Sequence, residues 1–295
     1  MKSCLSCNAQ ADIPATAPCA TCGATVVLRD GVAIYAPEYT DESDGFKAEY
    51  FDELVKLEDR NFWFRARNRL LIWAFGRFMP KGGSFLEIGC GNGFVLRGLR
   101  TAYPEARFSG SEIFLNGLQF ARQRLPGVDL MQMDGRHIPF AAHFDGIGAF
   151  DVLEHIDQDE EVLAQIHAAL KPGGHLFLTV PQHMWLWSAM DDLACHVRRY
   201  TAAELNSKLA AAGFDVQRST SFVFFLLPAM LAARLVKRNV APEDVDTSTE
   251  LDLHPVLNAV FYVIMRLEIL LIRLGVSWPL GGSRLMVATK RKPTV

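Results

Sequence analysis

The chain has 295 residues, half of them hydrophobic, which is enough for one large domain with attachments and a sizeable buried core. Its formal net charge of −3 excludes the global basic field that holds nucleic acid non-specifically. No stretch reaches the roughly 18 consecutive apolar residues of a membrane span, and the first residues lack the apolar core of a secretory signal. We therefore expect a cytoplasmic protein, with membrane association depending on two apolar segments near the C-terminus.

Four of the six cysteines form two C-x-x-C pairs, Cys4 with Cys7 and Cys19 with Cys22. Two thiolate pairs on tight turns make the tetrahedral sulfur site that zinc prefers. The alternative is a pair of disulfides or a redox-active C-x-x-C, but neither motif precedes a helix-forming run. A segment this short cannot bury enough apolar surface to fold unaided, so we expect a structural Zn²⁺ to supply its folding free energy.

The next segments are a β-like patch, TVVLRDGVAIYAP, an acidic helix-prone stretch from Thr40 to Asp59, and the helix start NFWFRARNRL. From Ser84 onward, short apolar strands alternate with helical segments. This alternation predicts an α/β fold with a parallel sheet and helices on both faces. In such folds the ligand crevice lies at the carboxyl ends of the strands, so the residues that follow each strand are the candidates for a site.

A glycine loop, FLEIGCGNG, follows the first of these strands. Its glycines allow a tight turn and a close approach of a ligand to backbone amides at the next helix start. The spacing differs from the G-x-G-x-x-G of dinucleotide-binding proteins, and the loop lacks the Lys-Ser/Thr of a P-loop. Cys90 lies where the backbone turns, so we interpret it as a small loop residue and not as a nucleophile.

Acidic residues follow the next three strands. Glu112 lies about 20 residues after the glycine loop, where a carboxylate can accept both hydroxyls of a ribose, as NAD and S-adenosylmethionine both require. The Asp134 carboxylate can accept a hydrogen bond from the exocyclic amine of adenine. Asp151 and Glu154 follow the fourth strand closely. Any one of them alone is as consistent with a helix cap or a solvated charge. Together, at successive strand ends, they predict a nucleotide-like ligand.

The ordered motifs FLEIGCGNG, SEI, DGRHIPF, FDGIGAFDVLEHI and LKPGGHLFLTVP resemble those of a class I S-adenosylmethionine-dependent methyltransferase. The resemblance covers roughly residues 62–218. It implies a Rossmann-like sheet, parallel except for one antiparallel strand. It also implies that Glu87 lies near the methionine amino group, Glu112 on the ribose, Asp134 and Gly135 at the adenine, and Phe150 beside the sulfonium. The cofactor-binding residues expected from it are Glu87, Gly89, Cys90, Gly91, Gly93, Glu112, Ile113, Asp134, Gly135, Phe150 and Asp151.

Methyl transfer from a sulfonium is an in-line displacement, and a general base is needed only when the acceptor must lose a proton. The candidate catalytic residues are His155, His196 and Tyr200, each of which is equally consistent with a structural role. In related enzymes the segment at NFWFRARNRL forms part of a lid. Trp63, Phe64 and Arg67 are therefore candidate substrate residues, the alternative being core aromatics and a solvated arginine.

A metal-assisted variant is also open. Asp151, Glu154 and His155 have i, i+3, i+4 spacing, and His196 can join them across the cleft. The set resembles the Mg²⁺ site of ubiquinone-pathway O-methyltransferases and small-RNA 2′-O-methyltransferases, except that an aspartate replaces the usual first glutamate.

Two apolar segments, Phe222 to Val236 and Val256 to Trp278, have helical period, and charges interrupt the second. They fit a helical cap over the acceptor pocket, a homodimer interface, or an amphipathic helix in peripheral contact with a membrane. The later SRLMVATKRK fits the antiparallel strand. We expect five parts: a zinc-ribbon-like segment at 1–36, a helical lid at 37–80, the cofactor-binding core at 81–221, an apolar helical cap or insertion at 222–280, and a terminal strand and tail at 281–295.

The sequence favours an enzyme that methylates an O or N atom of a small molecule or of a carrier-linked saccharide or lipid. The alternative is a zinc-ribbon adaptor whose methyltransferase-like domain binds the cofactor without catalysis. Nucleic-acid methylation is disfavoured because residues 1–30 contain only Lys2 and Arg29 as cations.

Overall fold

The computed structural model describes residues 2–7, 9–11, 17–39, 48–236 and 253–292. The first part of the predicted acidic helix, residues 40–47, lies outside the described residues. So do residues 237–252 of the predicted insertion and the last three residues of the tail.

The fold is built on one nine-stranded sheet with a small two-stranded sheet at the N-terminus. The small sheet pairs β1 (Lys2–Ser3) with β2 (Gln10–Ala11). The strands of the large sheet are β3 (Val27–Arg29), β4 (Val32–Ile34), β5 (Ser84–Ile88), β6 (Arg107–Glu112), β7 (Asp129–Gln132), β8 (Phe144–Phe150), β9 (Leu170–Pro181), β10 (Phe214–Phe222) and β11 (Ser283–Lys290).

The spatial order of the strands is β10-β11-β9-β8-β5-β6-β7-β4-β3. Strands β5 to β9 are parallel, and β11 lies antiparallel between β9 and β10. The predicted parallel sheet with a late antiparallel strand is therefore confirmed, and β3, antiparallel to β4, adds a second antiparallel strand at the other edge. The helices are α1 (Ala48–Leu57), α2 (Phe62–Phe78), α3 (Phe94–Ala102), α4 (Leu115–Arg124), α5 (Asp159–Ala169), α6 (Ala189–Leu193), α7 (Ala202–Ala211), α8 (Leu227–Val236) and α9 (Pro255–Arg273).

Both faces of the sheet are buried. Successive strand side chains point to opposite faces, so Phe85 belongs to one hydrophobic core and its neighbour Leu86 to the other. The first core contains residues of α2, α3, α4 and α9, and the second contains residues of α5 and α7. This double cover explains why the central strands are near-continuous apolar runs rather than alternating ones.

The β-like patch forms a hairpin that extends the large sheet. Asp30 and Gly31 both have positive φ, as a two-residue turn between β3 and β4 requires. Strand β4 then pairs in parallel with β7, with Ala33 opposite Met131 and Ile34 opposite Gln132. The sheet therefore continues into the N-terminal segment that follows the cysteine pairs.

Candidate active site

A cavity of about 830 Å³ lies at the carboxyl ends of the parallel strands. All of the predicted cofactor residues line it except Gly93, which caps the start of α3. Within the described part of the chain, the lining residues run from Glu38 to Cys195, so the apolar segments after residue 221 do not contribute to it.

The glycine loop forms the floor of the cavity, and its geometry requires glycine. Gly89 has φ +64°, and a Cβ there would lie 2.5 Å from Val152 Cγ2. Gly93 has φ +79°, and a Cβ there would lie 2.7 Å from Leu125 Cδ1. Any side chain at these two positions forces both a strained backbone and a steric clash.

Glu87 ends β5 with its carboxylate buried beside the cavity. The residue is 2% exposed, and its Oε2 has no hydrogen-bond partner among the residues that the structure describes. Burial raises the pKa of Glu87 to about 8, and the positive charge of Arg67 opposes that rise. A cationic group in the cavity would satisfy this oxygen and favour the ionised carboxylate.

Glu112 ends β6 on the other side of the glycine loop. Its Oε2 accepts a hydrogen bond from the Gly91 N–H at 2.9 Å, and its Oε1 accepts one from the Ile113 N–H at 2.8 Å. Burial raises the pKa of Glu112, although these backbone hydrogen bonds oppose it. The carboxylate is thereby held in a fixed orientation at the cavity wall.

Asp134 follows β7 and is held by residues that the sequence analysis missed. The Arg136 guanidinium donates to Asp134 Oδ2 at 2.9 Å from Nε, and its Nη2 donates to the Tyr39 hydroxyl at 2.8 Å. Glu38, Tyr39 and Arg136 all line the cavity. Arg136 lies within the quoted motif DGRHIPF, but nothing in the sequence joins that motif to a tyrosine 97 residues earlier.

Helix α2 contributes Phe64 and Arg67 to the cavity. The Arg67 guanidinium donates to the Asp151 carboxylate, which also accepts a hydrogen bond from the Thr179 hydroxyl. Trp63 does not line the cavity. Its ring packs edge-on against Phe64 and lies 4.8 Å from the Arg67 guanidinium, so it supports the two residues that do.

His155 lines the cavity, and His196 lies directly behind it, with ring centroids 4.7 Å apart. Burial and the neighbouring His196 lower the pKa of His155 to about 4, so its imidazole is neutral at pH 7. His196 Nδ1 lies 2.9 Å from Asp191 Oδ1, which fixes the orientation of the His196 ring.

Tyr200 lies away from the cavity. The residue is fully buried, and its hydroxyl donates to Asp159 Oδ2 at 2.7 Å. Burial and this hydrogen bond raise the pKa of Tyr200 far above its ordinary value. Tyr200 is therefore not among the residues that line the cavity, and its hydroxyl is engaged in a structural hydrogen bond.

A family model described as a methyltransferase domain matches residues 56–219, which is more than half of the chain. These residues include the glycine loop, the strand-end acids and both histidines described above. The chain belongs to the class I S-adenosylmethionine-dependent methyltransferases.

Known proteins that resemble this methyltransferase share its core. It is 27% identical over 164 residues to a probable S-adenosylmethionine-dependent methyltransferase of Mycolicibacterium smegmatis, covering 55% of this chain and 62% of that protein. It is 29% identical over 163 residues to the phthiotriol/phenolphthiotriol dimycocerosates methyltransferase of Mycobacterium tuberculosis, covering 51% and 58%. The matches thus span less than two thirds of the length of these curated relatives.

The fold is also shared with solved structures. The complex between the Haloferax volcanii Trm112 methyltransferase activator and the putative methyltransferase contains a chain that matches with a TM-score of 0.56 and 19% identity, covering 84% of this methyltransferase and 96% of that chain. At this level of identity the likeness concerns the fold alone.

Among the residues that the structure describes, two groups of side chains could hold a metal ion. The first is the set of four N-terminal cysteines, all of them free thiols, whose sulfur atoms lie within 4.8 Å of one another. Cys4 and Cys22 sulfurs are 3.6 Å apart, as are those of Cys7 and Cys19. A tetrahedral zinc site with Zn–S bonds of about 2.3 Å separates its sulfurs by roughly 3.8 Å, so the four thiols fit zinc.

The second group is Glu154, His155 and His196, whose ligand atoms also lie within 4.8 Å of one another. Glu154 is fully buried, and both of its carboxylate oxygens are without a hydrogen-bond partner in the described part of the chain. Burial and the nearby Asp151 raise the pKa of Glu154 well above its ordinary value. Asp151, the fourth member of the predicted set, is bound instead to Arg67 and Thr179.

Proposed function

We propose that this methyltransferase transfers a methyl group from S-adenosylmethionine to an O or N atom of a small molecule or of a carrier-linked saccharide or lipid. One observation carries the proposal: Glu87 presents an unpartnered, buried carboxylate oxygen to the cavity, with Arg67 close enough to influence its charge. The methionine part of S-adenosylmethionine carries an ammonium and a carboxylate on one carbon atom. The ammonium is complementary in charge to Glu87 and the carboxylate to Arg67.

The remaining contacts follow the length of the cofactor. The methionine amino group would bind Glu87, and the ribose hydroxyls would bind Glu112 beyond the glycine loop. The adenine would lie against Gly135, with its exocyclic amine toward Asp134, and the sulfonium would lie near Phe150. These assignments are supported by the shared cavity and by the order of the strands that carry the residues.

When bound, S-adenosylmethionine supplies a methyl group bonded to a good leaving group, so most of the acceleration comes from positioning and exclusion of water. Phe64, on α2, covers the cavity from the lid side. When no metal ion is bound by Glu154, His155 and His196, the His155 imidazole would accept the proton that the acceptor loses. A pKa of about 4 is too low for it to remove that proton before attack, so the transfer would occur as the new bond forms.

Isothermal titration calorimetry with S-adenosylmethionine tests the cofactor assignment. We expect binding by the wild type and its loss in Gly89→Arg, because the added side chain would fill the loop that Val152 already closes. Glu112→Ala would bind more weakly, while the exposed Glu105→Ala serves as a matched control. Absence of binding by the wild type would contradict the assignment.

Catalysis is tested with labelled cofactor and fractionated cell extract. We expect label to enter a lipid, saccharide or small-molecule fraction, and to fail to do so with His155→Ala. Cofactor binding without transfer to any fraction would instead support the adaptor alternative.

We further propose that the acceptor is reached at a membrane surface, through the outer face of α9. Among the described helices, α9 is the one long and apolar enough to cross a membrane, yet only 22% of its apolar window is buried. The exposed residues repeat every three or four positions, as on one face of a helix. The residues of this stripe are Val256, Val260, Val263, Leu267, Leu270 and the C-cap residue Leu274; Leu257 is also exposed and lies outside the stripe.

The charged residues of α9 favour a helix that lies on an anionic membrane surface over one that crosses the membrane. Glu268, the single acidic residue of the helix, is fully buried, and its carboxylate accepts hydrogen bonds from the Phe224 and Phe225 N–H groups. Arg266 and Arg273 are exposed beside the apolar stripe. A helix with one packed face, one apolar face and flanking arginines lies in the membrane interface.

Liposome flotation without detergent tests this surface. We expect the protein to float with anionic vesicles and Leu267→Glu to remain in the bottom fraction, whereas Val27→Glu, on the exposed face of β3, would float. Failure of the wild type to float, together with a dimer by light scattering that Leu267→Glu dissociates, would assign the face to a second copy of the chain.

A further inference from the structure

The cysteine segment and the cofactor cavity are connected through the edge of the sheet. Gln132, at the end of β7, is fully buried and binds both backbone groups of Ala36: its Nε2 donates to the Ala36 carbonyl at 2.7 Å, and its Oε1 accepts from the Ala36 N–H at 2.9 Å. The Gln132 carbonyl also accepts from the Tyr35 N–H at 2.8 Å. The chain leaving the hairpin is thus fixed at the carboxyl end of β7.

That attachment places the next three residues at the cavity. Pro37–Tyr39 form a short 3₁₀ helix, and Glu38 and Tyr39 line the cavity wall. The Tyr39 hydroxyl accepts a hydrogen bond from Arg136, whose guanidinium binds both Asp134 oxygens. A continuous series of contacts therefore runs from the hairpin to the carboxylate assigned to the adenine.

The residues beside the first cysteine pair contact the loop that follows β7, at the end of that loop farthest from Asp134. The Ser3 N–H, adjacent to Cys4, donates to the Pro139 carbonyl at 3.1 Å, and Lys2 forms an isolated β-bridge with Phe140. The loop from Asp134 to Phe140 is consequently held at its start by Tyr39 through Arg136 and at its end by the residues beside the first cysteine pair.

The N-terminal segment that contains the four cysteines and the β3–β4 hairpin has little apolar core of its own in its described part. Leu5, Val27 and Leu28 are exposed, and its buried side chains, such as Val32 and Ile34, pack on the main sheet. Segments with so little buried apolar surface depend on metal ligation for a stable structure.

We propose that the four-cysteine segment is a metal-dependent positioning element of the cofactor site. With zinc bound, it holds β4 on β7 and Tyr39 against Arg136, and this fixes Asp134 for the adenine. The inference rests on the proposed cofactor function. Because coupling between two binding sites is reciprocal, zinc loading raises cofactor affinity and cofactor binding raises zinc affinity by the same factor.

The test measures binding of S-adenosylhomocysteine by calorimetry, so it does not require turnover or a known acceptor. We expect removal of zinc by a chelator, or by Cys4→Ser with Cys7→Ser, to weaken binding roughly tenfold, and zinc readdition to restore it in the chelated wild type only. Ser6→Ala, in the same turn, is the matched control and keeps both zinc and affinity.

A second variant separates positioning from a general loss of folding. Tyr39→Phe removes one hydroxyl, keeps stoichiometric zinc and the wild-type melting temperature, and weakens cofactor binding roughly fivefold, the size expected for the net contribution of one typical hydrogen bond. Tyr103→Phe removes a hydroxyl that donates to the Ile72 carbonyl elsewhere, and leaves cofactor affinity unchanged.

The outcomes distinguish the two proposals. Unchanged affinity in the zinc-free protein, or in Tyr39→Phe, would overturn the positioning role while leaving the cofactor assignment intact. Absence of binding by the zinc-loaded wild type would overturn the cofactor assignment itself.

Discussion

The two carboxylates that flank the glycine loop differ in what holds them. Glu112 accepts backbone hydrogen bonds and is oriented by them, whereas Glu87 has an oxygen with no partner in the described structure. A buried carboxylate without a partner is stable only in its neutral form, which is the reason for the raised pKa of Glu87. Glu87 is therefore the residue whose ionisation is most sensitive to a bound cation.

We expect cofactor binding to release a proton from Glu87. At pH 7 the free carboxyl is mostly protonated, since its pKa is about 8, and an ammonium group bound beside it lowers that pKa. Calorimetry in two buffers of different ionisation enthalpy measures the release, and Glu87→Gln would abolish it. Equal apparent enthalpies in the two buffers for the wild type would contradict the prediction.

The same ionisation predicts how stability depends on pH without cofactor. The folded pKa of Glu87 lies above its unfolded value, so the folded state binds more protons between about pH 4.5 and 8. The free energy of unfolding therefore falls as pH rises through this window. Glu87→Gln would remove this contribution, which urea denaturation at several pH values would detect as a flatter profile.

Glu154 gives a prediction about metal removal. Its unpartnered buried carboxylate and the two adjacent imidazoles offer three ligands to a divalent cation. We expect Mn²⁺ to bind the zinc-loaded protein and raise its melting temperature, and Glu154→Gln to abolish this shift, while the exposed Glu161→Gln retains it. A wild-type melting temperature that Mn²⁺ does not alter would exclude binding of this cation at the group.

At the scale of elements, α9 supports the start of α2. The Asn258 Oδ1 accepts a hydrogen bond from the Phe62 N–H at 2.7 Å, and its Nδ2 donates to the Arg60 carbonyl at 2.9 Å. Both groups belong to the first turn of α2 or to the residues just before it. The same turn leads to Phe64 and Arg67, so the helix with the exposed apolar face is linked to the part of α2 that lines the cavity.

Asn258→Ala should therefore affect stability and cofactor binding together. We expect the free energy of unfolding to fall by about 1–3 kcal/mol, because the Phe62 N–H and the Arg60 carbonyl lose their partner, and cofactor affinity to fall because Phe64 and Arg67 lose their support. Chemical denaturation and calorimetry measure the two effects. Asn116→Ala, at an exposed position of α4, is the control, and an effect on stability without one on affinity would limit Asn258 to a structural role.

Patterns among neighbouring residues in the sequence predicted the strands and loops that carry the site. They predicted only part of the contacts that these strands and loops make with each other. The glycine loop and the strand-end acids were predictable because turn geometry and strand period are determined by neighbouring residues. Trp63 and Phe64 were not distinguishable, since successive helix residues point about 100° apart and only the structure shows which faces the cavity. The β4–β7 pairing joins residues almost a hundred positions apart, so no local pattern indicates it.

One sheet connects the hairpin that follows the cysteine turns, the strands that carry the cavity and the antiparallel strand β11 near the C-terminus. The central strands are buried on both faces. At the other end of the sheet β3 and β4 are three residues each, and β3 is exposed throughout, whereas the apolar side chains of β4 are buried against the main sheet. Stability is therefore unevenly distributed along the sheet, and we expect the lowest local stability at the end formed by the short strands β3 and β4.

Hydrogen exchange of the zinc-loaded and zinc-depleted protein measures this distribution. We expect chelation to expose the amides of β3, β4 and the outer edge of β7, and to leave the protection of β5, β8 and β9 unchanged. Loss of protection in the central strands would show that the metal stabilises the whole fold and not one end of it.

The hairpin also protects the protein from self-association. The hairpin covers the edge of β7, so the outermost strand of the sheet is β3. This strand spans only Val27–Arg29 and ends in an arginine. Short, charged edge strands resist pairing with other chains, whereas an uncovered edge is a template for aggregation. A chain deprived of metal would present the edge of β7 next to an empty nucleotide crevice. On the proposal that zinc holds the hairpin in place, zinc supply during synthesis would therefore govern how much of the protein stays monodisperse.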